Sequence, residues 1–373
     1  MVSISVIIVN YNARYFLKNC IVSVLRSDIS DDIEIIVVDN NSADGSYDML
    51  QRDFPEVKCI RNLENKGFSK ANNQGVELAR GEYVLILNPD TILGESTLSE
   101  VLSFSRKQVD FGASGVRFID GSGKFLPESK RNFPGLKIAG AKLLGYSKNY
   151  YANQIGEKAI AESEILTGAF MFVKRSVFEK VGGFDEDFFM YGEDIDLSYR
   201  ITQAGYKNFY MGSVRVIHFK GESTVKDNLY LTNFYGALSI FYKKHFPHSR
   251  VFYRAIDWLI SGLIKMKSVA KATDEQVPLT FHSWVCLGHD EKVFNRIKIK
   301  FPRASGRLLS SLDDRISESE VVFFDMGSLS CGEIIEGMSH PALAEVKKRI
   351  ISEDHSFYLG SDVSFERGEV MAL

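Results

Sequence analysis

Cysteine is scarce and scattered: Cys20, Cys59, Cys286 and Cys331 form no C-x-x-C pair. That spacing argues against a zinc site or a disulfide framework and fits reduced thiols in the cytoplasm. No stretch approaches the roughly 18 consecutive apolar residues of a membrane-spanning helix. The N-terminal MVSISVIIVNYNARYF lacks a basic leader and a small-residue cleavage site, so its apolar run reads as a buried strand and not a signal peptide. The formal net charge of −3 gives no reason to expect nucleic acid as a partner. A phosphate-binding G-x-x-x-x-G-K-[ST] loop is missing, and Leu287-Gly288-His289 does not open a G-x-G-x-x-G turn.

What is present is ordinary in bulk: 373 residues, 45% hydrophobic and 25% charged, enough for two or three soluble domains. The charge is uneven. Residues 1–271 hold 34 Lys and Arg against 31 Asp and Glu, while 272–373 hold 11 against 17. The sign changes in the polar link Lys271-Ala272-Thr273-Asp274-Glu275, which marks the main domain boundary.

Ser5–Val9 and Ile33–Val38 are continuous β-branched runs, the pattern of strands buried on both faces. Each is followed by a helical pattern, and Val57–Ile60 is a third short strand. Strand, helix, strand at this pace predicts a parallel sheet with right-handed crossovers, whose ligand lies beyond the carboxyl ends of the strands. Asn10, Asn12 and Asp39 stand at those ends. Asn65-Lys66-Gly67-Phe68 then feeds a polar helix containing Lys70 and Asn72, a start that attracts anions. Tyr83–Leu87 is a further buried strand ending in Asn88-Pro89-Asp90-Thr91. A carboxylate there suits a hard divalent cation bridging phosphates; its alternative is a helix cap.

The densest chemistry lies in TGAFMFVKRSVFEKVGGFDEDFFMYGEDIDLSYRITQAGY, residues 167–206. Glu193, Asp194 and Asp196 follow an aromatic run and Gly192. They read either as the acidic first turn of a helix or as carboxylates whose partial burial tunes a general base. The turn Thr167-Gly168-Ala169 is small enough for a backbone to approach a ligand.

In order, NYN, VVDNNSADGS, NKGFSKANNQG, LNPDT and GAFMFVKRSVFEKVGGFDEDFFMYGEDIDL resemble the inverting GT-A glycosyltransferases of bacterial family 2, especially rhamnosyltransferase-like members. The resemblance covers roughly residues 3–245. It implies an α/β GT-A fold, with a Rossmann-like, mostly parallel nucleotide-binding sheet and a mixed acceptor half. By position, Asp39 resembles the carboxylate that reads the pyrimidine ring, and Lys66 and Asn72 line the nucleotide-sugar. Asp90 matches the last acid of the metal-binding DxD motif, with neutral Asn88 in its first place. Asp194 matches the catalytic base, and Glu193 and Asp196 would orient it or raise its pKa by repulsion. His218 matches a metal-binding histidine. The implied cofactor is Mg²⁺ or Mn²⁺. The implied reaction moves one sugar, L-rhamnose from dTDP-rhamnose ahead of UDP-hexoses, to a saccharide or polyprenyl-diphosphate-linked acceptor in surface polysaccharide biosynthesis. Processive members carry Q-x-x-R-W and membrane helices, and this chain has neither. A catalytically inactive sugar- or partner-binding scaffold is the rival reading, favoured by Asn88 and opposed by the intact Glu193-Asp194 pair. A nucleotidyltransferase lacks support, because NYNARYF stands where its glycine-rich turn would be.

Three divisions are therefore expected: a GT-A domain over 1–228, a basic aromatic helical segment over 229–271, and a small acidic α/β, Rossmann-like domain over 272–373. The middle segment, with Phe241, Tyr242, Lys243, Lys244 and His245 at its core, reads equally as a membrane-surface helix or as one packed on the catalytic domain. The expected location is the cytoplasm, with the first alternative adding contact to the inner face of the cytoplasmic membrane. In the acidic part, Phe281–Gly288, Val321–Asp325 and Phe357–Gly360 read as strands. Glu291–Ile299, Ser330–Met338 and Ala342–Ile351 read as helices.

Overall fold

The computed structural model describes residues 2–135, 150–220, 228–246, 281–312, 316–363 and 368–373, together with Trp258 and Gly262. The first unit runs β1 (Ile4–Asn10), α1 (Arg14–Leu25), β2 (Ile33–Asp39), α2 (Ser46–Asp53), β3 (Lys58–Arg61), α3 (Phe68–Glu77), β4 (Tyr83–Leu87), β5 (Thr91–Leu93) and α4 (Thr97–Lys107). It continues through β6 (Phe111–Ile119), β7 (Ile160–Glu162), β8 (Phe170–Lys174), α5 (Arg175–Lys180), α6 (Glu193–Gln203), β9 (Lys207–His218) and α7 (Asn228–His245). The second comprises β10 (Ser283–Leu287), α8 (Glu291–Lys300), β11 (Ser305–Leu309), β12 (Glu320–Asp325), α9 (Cys331–Met338), β13 (Lys347–Ile351), β14 (Phe357–Gly360) and β15 (Glu369–Ala372).

The first sheet has the order β3-β2-β1-β4-β8-β6-β9-β5, with β7 also paired to β9. Strands β3, β2, β1 and β4 are mutually parallel. The apolar runs of β1, β2 and β4 are sealed on both faces because helices cover each side. Side chains alternate across a strand, so Val6 and Ile8 meet Leu17 and Ile21 of α1 in one cluster, while Ile7 joins Val76 of α3 and Leu197 of α6 in another. A Cβ at Gly75 would lie 2.4 Å from Ile7 Cγ2, so α3 sits on β1 with no room for a larger residue. Beyond β4 the sheet turns mixed: β8 is antiparallel to both β4 and β6, β6 is parallel to β9, and β9 is antiparallel to β5.

The second sheet, β11-β10-β12-β13-β14-β15, is parallel through β13 and antiparallel after it. Residues 342–351 correct the expected helix. A single 3₁₀ turn occupies Pro341–Leu343, and Lys347–Ile351 pairs in parallel with β12. Val346, Ile350 and Leu343 mimic helical spacing, but their burial comes from a strand and the turn before it.

The two sheets share an apolar cluster, in which Ile92 and Leu93 of β5 join Ile334, Ile335 and Met338 of α9. Polar links cross the same face. Lys348, buried, donates to the Ser122 carbonyl at 2.8 Å, and Lys18 pairs with Asp354 at 2.7 Å. Burial pushes the Lys348 ammonium down to about 8, against the opposing pull of Asp120.

Candidate active site

Strand register lays the site out along one edge. Asn10 is opposite Asp39 across β1 and β2, and Ile8 is opposite Leu87 across β1 and β4. Leu87 is in turn opposite Phe170 of β8, and the Asn88 amide donates to the Ala169 carbonyl at 3.0 Å. The next amide, Gly168, donates to Asp194 Oδ2 at 3.2 Å. Asp39, Asn10, Asn88, the Thr167–Ala169 turn and Asp194 thus follow one another across the carboxyl ends of the parallel strands. The small turn at Thr167–Ala169 holds Asp194 through the Gly168 amide.

Helix α6 begins at Gly192, whose φ of 80° lies in the left-handed region. A Cβ there would be 3.0 Å from Ala237 Cβ and 3.2 Å from Phe188 Cε1, so only glycine allows the turn that aims Glu193 and Asp194. Arg131 was not found by reading the sequence. It donates from Nη2 to Asp194 Oδ2 at 2.6 Å and from Nη1 to the Tyr150 hydroxyl at 3.3 Å. Both side chains of the ion pair are nearly buried. Burial alone would lower the Arg131 pKa; the adjoining Asp194 charge outweighs it and raises the guanidinium pKa. The Ile195 amide donates to Asp194 Oδ1 at 2.8 Å. A carboxylate oxygen has two lone pairs, so Oδ1 keeps one for another donor.

The Glu193 carboxyl is pushed up to about 8. Burial is the main cause, followed by the Asp194 charge. Glu193 Oε2 is sealed from solvent without a hydrogen-bond partner. Asp196 plays a different part. Fully buried, it binds Arg200 at 2.7 Å, His245 Nε2 at 2.6 Å and Lys244 at 3.0 Å.

Asp90 and His218 meet on the opposite flank, where β5 leaves the end of β4 and pairs Thr91 with His218. His218 Nε2 lies 3.4 Å from Asp90 Oδ1 and 3.4 Å from Asn88 Nδ2. Asp90 Oδ1 is buried and accepts no hydrogen bond. A lone buried acceptor facing an imidazole nitrogen fits a hard divalent cation with two protein ligands. Among the described residues no three His, Cys, Asp or Glu side chains converge as a metal site, so phosphate or water oxygens would have to complete the shell. Nearby, burial raises the Glu128 carboxyl, but the Lys220 charge and hydrogen bond reverse this and leave it lowered.

The remaining candidates occupy the other end. Asn10 Nδ2 donates to Asp39 Oδ1 and to Ser42 Oγ, both at 3.0 Å. Asn12, at φ 53°, accepts from the Ala43 amide at 2.8 Å. Asp39 Oδ2 accepts the Ser42 amide at 3.1 Å. These bonds fix the loops beyond β1 and β2. Gly67 is clamped against the aromatic loop, since a Cβ on it would lie 2.5 Å from the Phe189 carbonyl. Lys66 is half-buried just before it. Asn72 is buried on α3; its Nδ2 caps the Phe68 carbonyl at 3.0 Å and its Oδ1 has no partner.

Over residues 228–246 the basic aromatic segment packs on the catalytic domain. Ala237, Phe241 and Tyr242 are buried against Ile165, Phe188 and Ile195. Lys244 reaches Asp185 and Asp196. Its apolar face covers the start of α6, the alternative of packing on the domain. Residues 247–271, apart from Trp258 and Gly262, lie outside the described set.

The Arg131–Asp194 pair yields a stability test. Arg131→Met strands a buried carboxylate and is expected to cost about 3–5 kcal/mol in chemical denaturation. Adding Asp194→Asn removes the stranded charge and should recover part of that loss. A double variant no more stable than Arg131→Met would show that charge pairing is not what Arg131 supplies.

The family model of glycosyl transferase family 2 matches residues 5–182, and that of the N-terminal domain of galactosyltransferase matches residues 157–222. An N-acetylglucosaminyl-diphospho-decaprenol L-rhamnosyltransferase of Mycobacterium tuberculosis is 29% identical over 255 residues, 63% of this chain and 82% of the relative. Rhamnosyltransferase WbbL of Escherichia coli is 26% identical over 212 residues, 51% of this chain and 79% of the relative. The mannosyltransferase PcManGT from Pyrobaculum calidifontis, solved with GDP-Man and Mn²⁺, is 18% identical at a TM-score of 0.48, covering 72% of this chain and 76% of that one. The first model spans the elements that carry Asn10, Asp39 and Asp90, so residues 5–182 match glycosyl transferase family 2, and the chain is a glycosyltransferase with a mixed α/β, mostly parallel central sheet that bears a second sheet in its C-terminal region.

Proposed function

We propose that this enzyme transfers a single sugar, with inversion, from a nucleotide-sugar to a saccharide or polyprenyl-diphosphate-linked acceptor in surface polysaccharide biosynthesis. L-Rhamnose from dTDP-rhamnose is the donor assignment, supported by the names of the two rhamnosyltransferase relatives. We assign the chemistry to residues 1–228, with the segment 229–271 leading to the acidic unit 272–373. Work at the cytoplasmic face of the membrane follows from a lipid-linked acceptor; among the described residues no helix is long and apolar enough to cross a bilayer.

One observation carries the reading. Asp194 is held by Arg131 and the Gly168 amide on the same sheet edge as the Asp90–His218 pair. In this assignment Asn10, Asn12, Asp39, Lys66 and Asn72 form the nucleotide end, and Asp39 reads the base. Asn88, Asp90 and His218 form the diphosphate end, with Asp90 and His218 holding Mg²⁺ or Mn²⁺. That ion, when bound, offsets negative charge developing on the leaving diphosphate. Asp194 takes the proton of the acceptor hydroxyl at Oδ1 as that hydroxyl attacks the anomeric carbon from the opposite side. A single displacement inverts the centre, as in inverting glycosidases. Glu193, protonated near neutral pH, adds no second charge beside the base and can donate a hydrogen bond.

Two measurements follow. In a thermal-shift panel of nucleotide-sugars with and without Mn²⁺, one donor should stabilise selectively in the presence of the ion. Turnover should stop in EDTA, and full activity there would remove the metal assignment. Glu193 gives a pH signature. Its carboxyl is protonated below about 8 and ionises above it, so kcat should fall as pH rises through that value. Glu193→Gln cannot ionise and should flatten this alkaline limb; an unchanged limb would place its origin elsewhere.

A further inference from the structure

Of the two strands that bring Asp90 and His218 together, β9 is held inside the sheet by β6 and β7, whereas β5 is weakly secured by the sheet itself. Strand β5 has three residues and closes the sheet, paired on one side only through Thr91–His218, Ile92–Ile217 and Leu93–Val216. So short an edge strand depends on what covers it. Helix α1 covers part: Ser23 Oγ accepts the Leu93 amide at 3.1 Å, and Cys20 Sγ lies 3.5 Å from Thr91 Oγ1. The second unit covers the rest. Glu95, two residues past β5, receives the Cys331 and Gly332 amides at 2.6 and 2.9 Å. A carboxylate at a helix N-terminus answers both the unpaired amides and the helix dipole.

The contact extends to β9. Arg215 bonds Ser339, just past the end of α9. The loop after β6 also fits tightly: a Cβ on Gly123 would lie 1.8 Å from the Met338 carbonyl. A Cβ on Gly121 would lie 2.7 Å from the Ser361 carbonyl and 3.0 Å from Phe219, the residue after His218. Both family models end at or before residue 222, so neither accounts for this buttress.

We propose that the C-terminal unit positions the metal–diphosphate site, with Glu95 and α9 fixing β5 so that Asp90 stays opposite His218. This rests on the assignment of Asp90 and His218 as cation ligands. Glu95 is a positioning residue: it touches neither the cation nor the donor. Loss of its bond to α9 should loosen β5 and weaken the cation, while the base at Asp194, held from Arg131 and Gly168, keeps its geometry.

The test uses the full chain and reads free Mn²⁺ by electron paramagnetic resonance, with dTDP and separately with UDP. Glu95→Ala should weaken Mn²⁺ binding about 10-fold, the usual scale for a lost outer-shell partner, and kcat at saturating Mn²⁺ should be kept. Glu95→Gln, which retains one acceptor oxygen, should fall between and serves if the alanine variant does not fold. Lys18→Met breaks the Lys18–Asp354 pair of the same interface on α1 and should leave Mn²⁺ affinity unchanged. Wild-type affinity in both Glu95 variants, or an equal loss in Lys18→Met, would overturn the positioning role. A wild-type protein that binds no Mn²⁺ with either nucleotide would instead overturn the ligand assignment beneath it.

Discussion

A buried ion pair between Arg131 and Asp194 joins parts of the chain that no local pattern connects. Arg131 comes from the stretch after β6, Asp194 from the first turn of α6, and Gly168 from the turn before β8. Taking both charges out of water is costly unless they meet each other and their spare hydrogen-bonding positions are filled. Here Leu166, Tyr150, Gly168 and Ile195 fill most of them, while Arg131 Nε is buried without a partner and Asp194 Oδ1 keeps one lone pair. The resulting geometry leaves the carboxylate near the end of β4, where the rest of the site stands. Gly192 and the α7 side chains packed behind it keep α6 from drifting away from that point.

The site therefore depends on two supports that differ in kind. Asp194 is held by ionic and amide contacts from within the first unit. The Asp90–His218 pair sits on the opposite flank, on a three-residue strand at the sheet edge, and relies on packing by α1 and α9. Under the proposed roles, changes in the second unit reach donor binding through β5 without altering proton transfer at Asp194. The buried Lys348 and the glycine loop at 121–123 belong to the same docking face and tie the two sheets together at its far side.

Much of this was legible in the sequence where a pattern admits one structure. The β-branched runs of β1, β2 and β4 demand burial on both faces, and a parallel sheet provides it, which put Asn10, Asp39 and Asn88 on one edge. Gly192 followed by three acids marked the start of α6. Arg131 was not legible, because a basic residue in Ser129-Lys130-Arg131-Asn132 resembles any solvated loop until its partner, 63 positions away, is placed beside it. The apolar face of α7 looks the same whether it covers lipid or protein, and only Phe188 and Ile195 across from it decide the matter. Residues 342–351 misled for a related reason: Leu343, Val346 and Ile350 have helical spacing, yet Pro341 starts a lone turn and Ile350-Ile351 joins β12.

The central claim is that Asp194 accepts the proton of the acceptor hydroxyl. It is tested most directly by turnover, donor affinity and melting temperature measured together for Asp194→Asn. The expected result is a folded protein whose kcat falls by roughly 10²–10⁴-fold, the range for loss of a general base. Affinity for the nucleotide-sugar should be unchanged, because Asp39, Lys66 and Asp90 remain. A folded Asp194→Asn enzyme that turns over at the wild-type rate would contradict it.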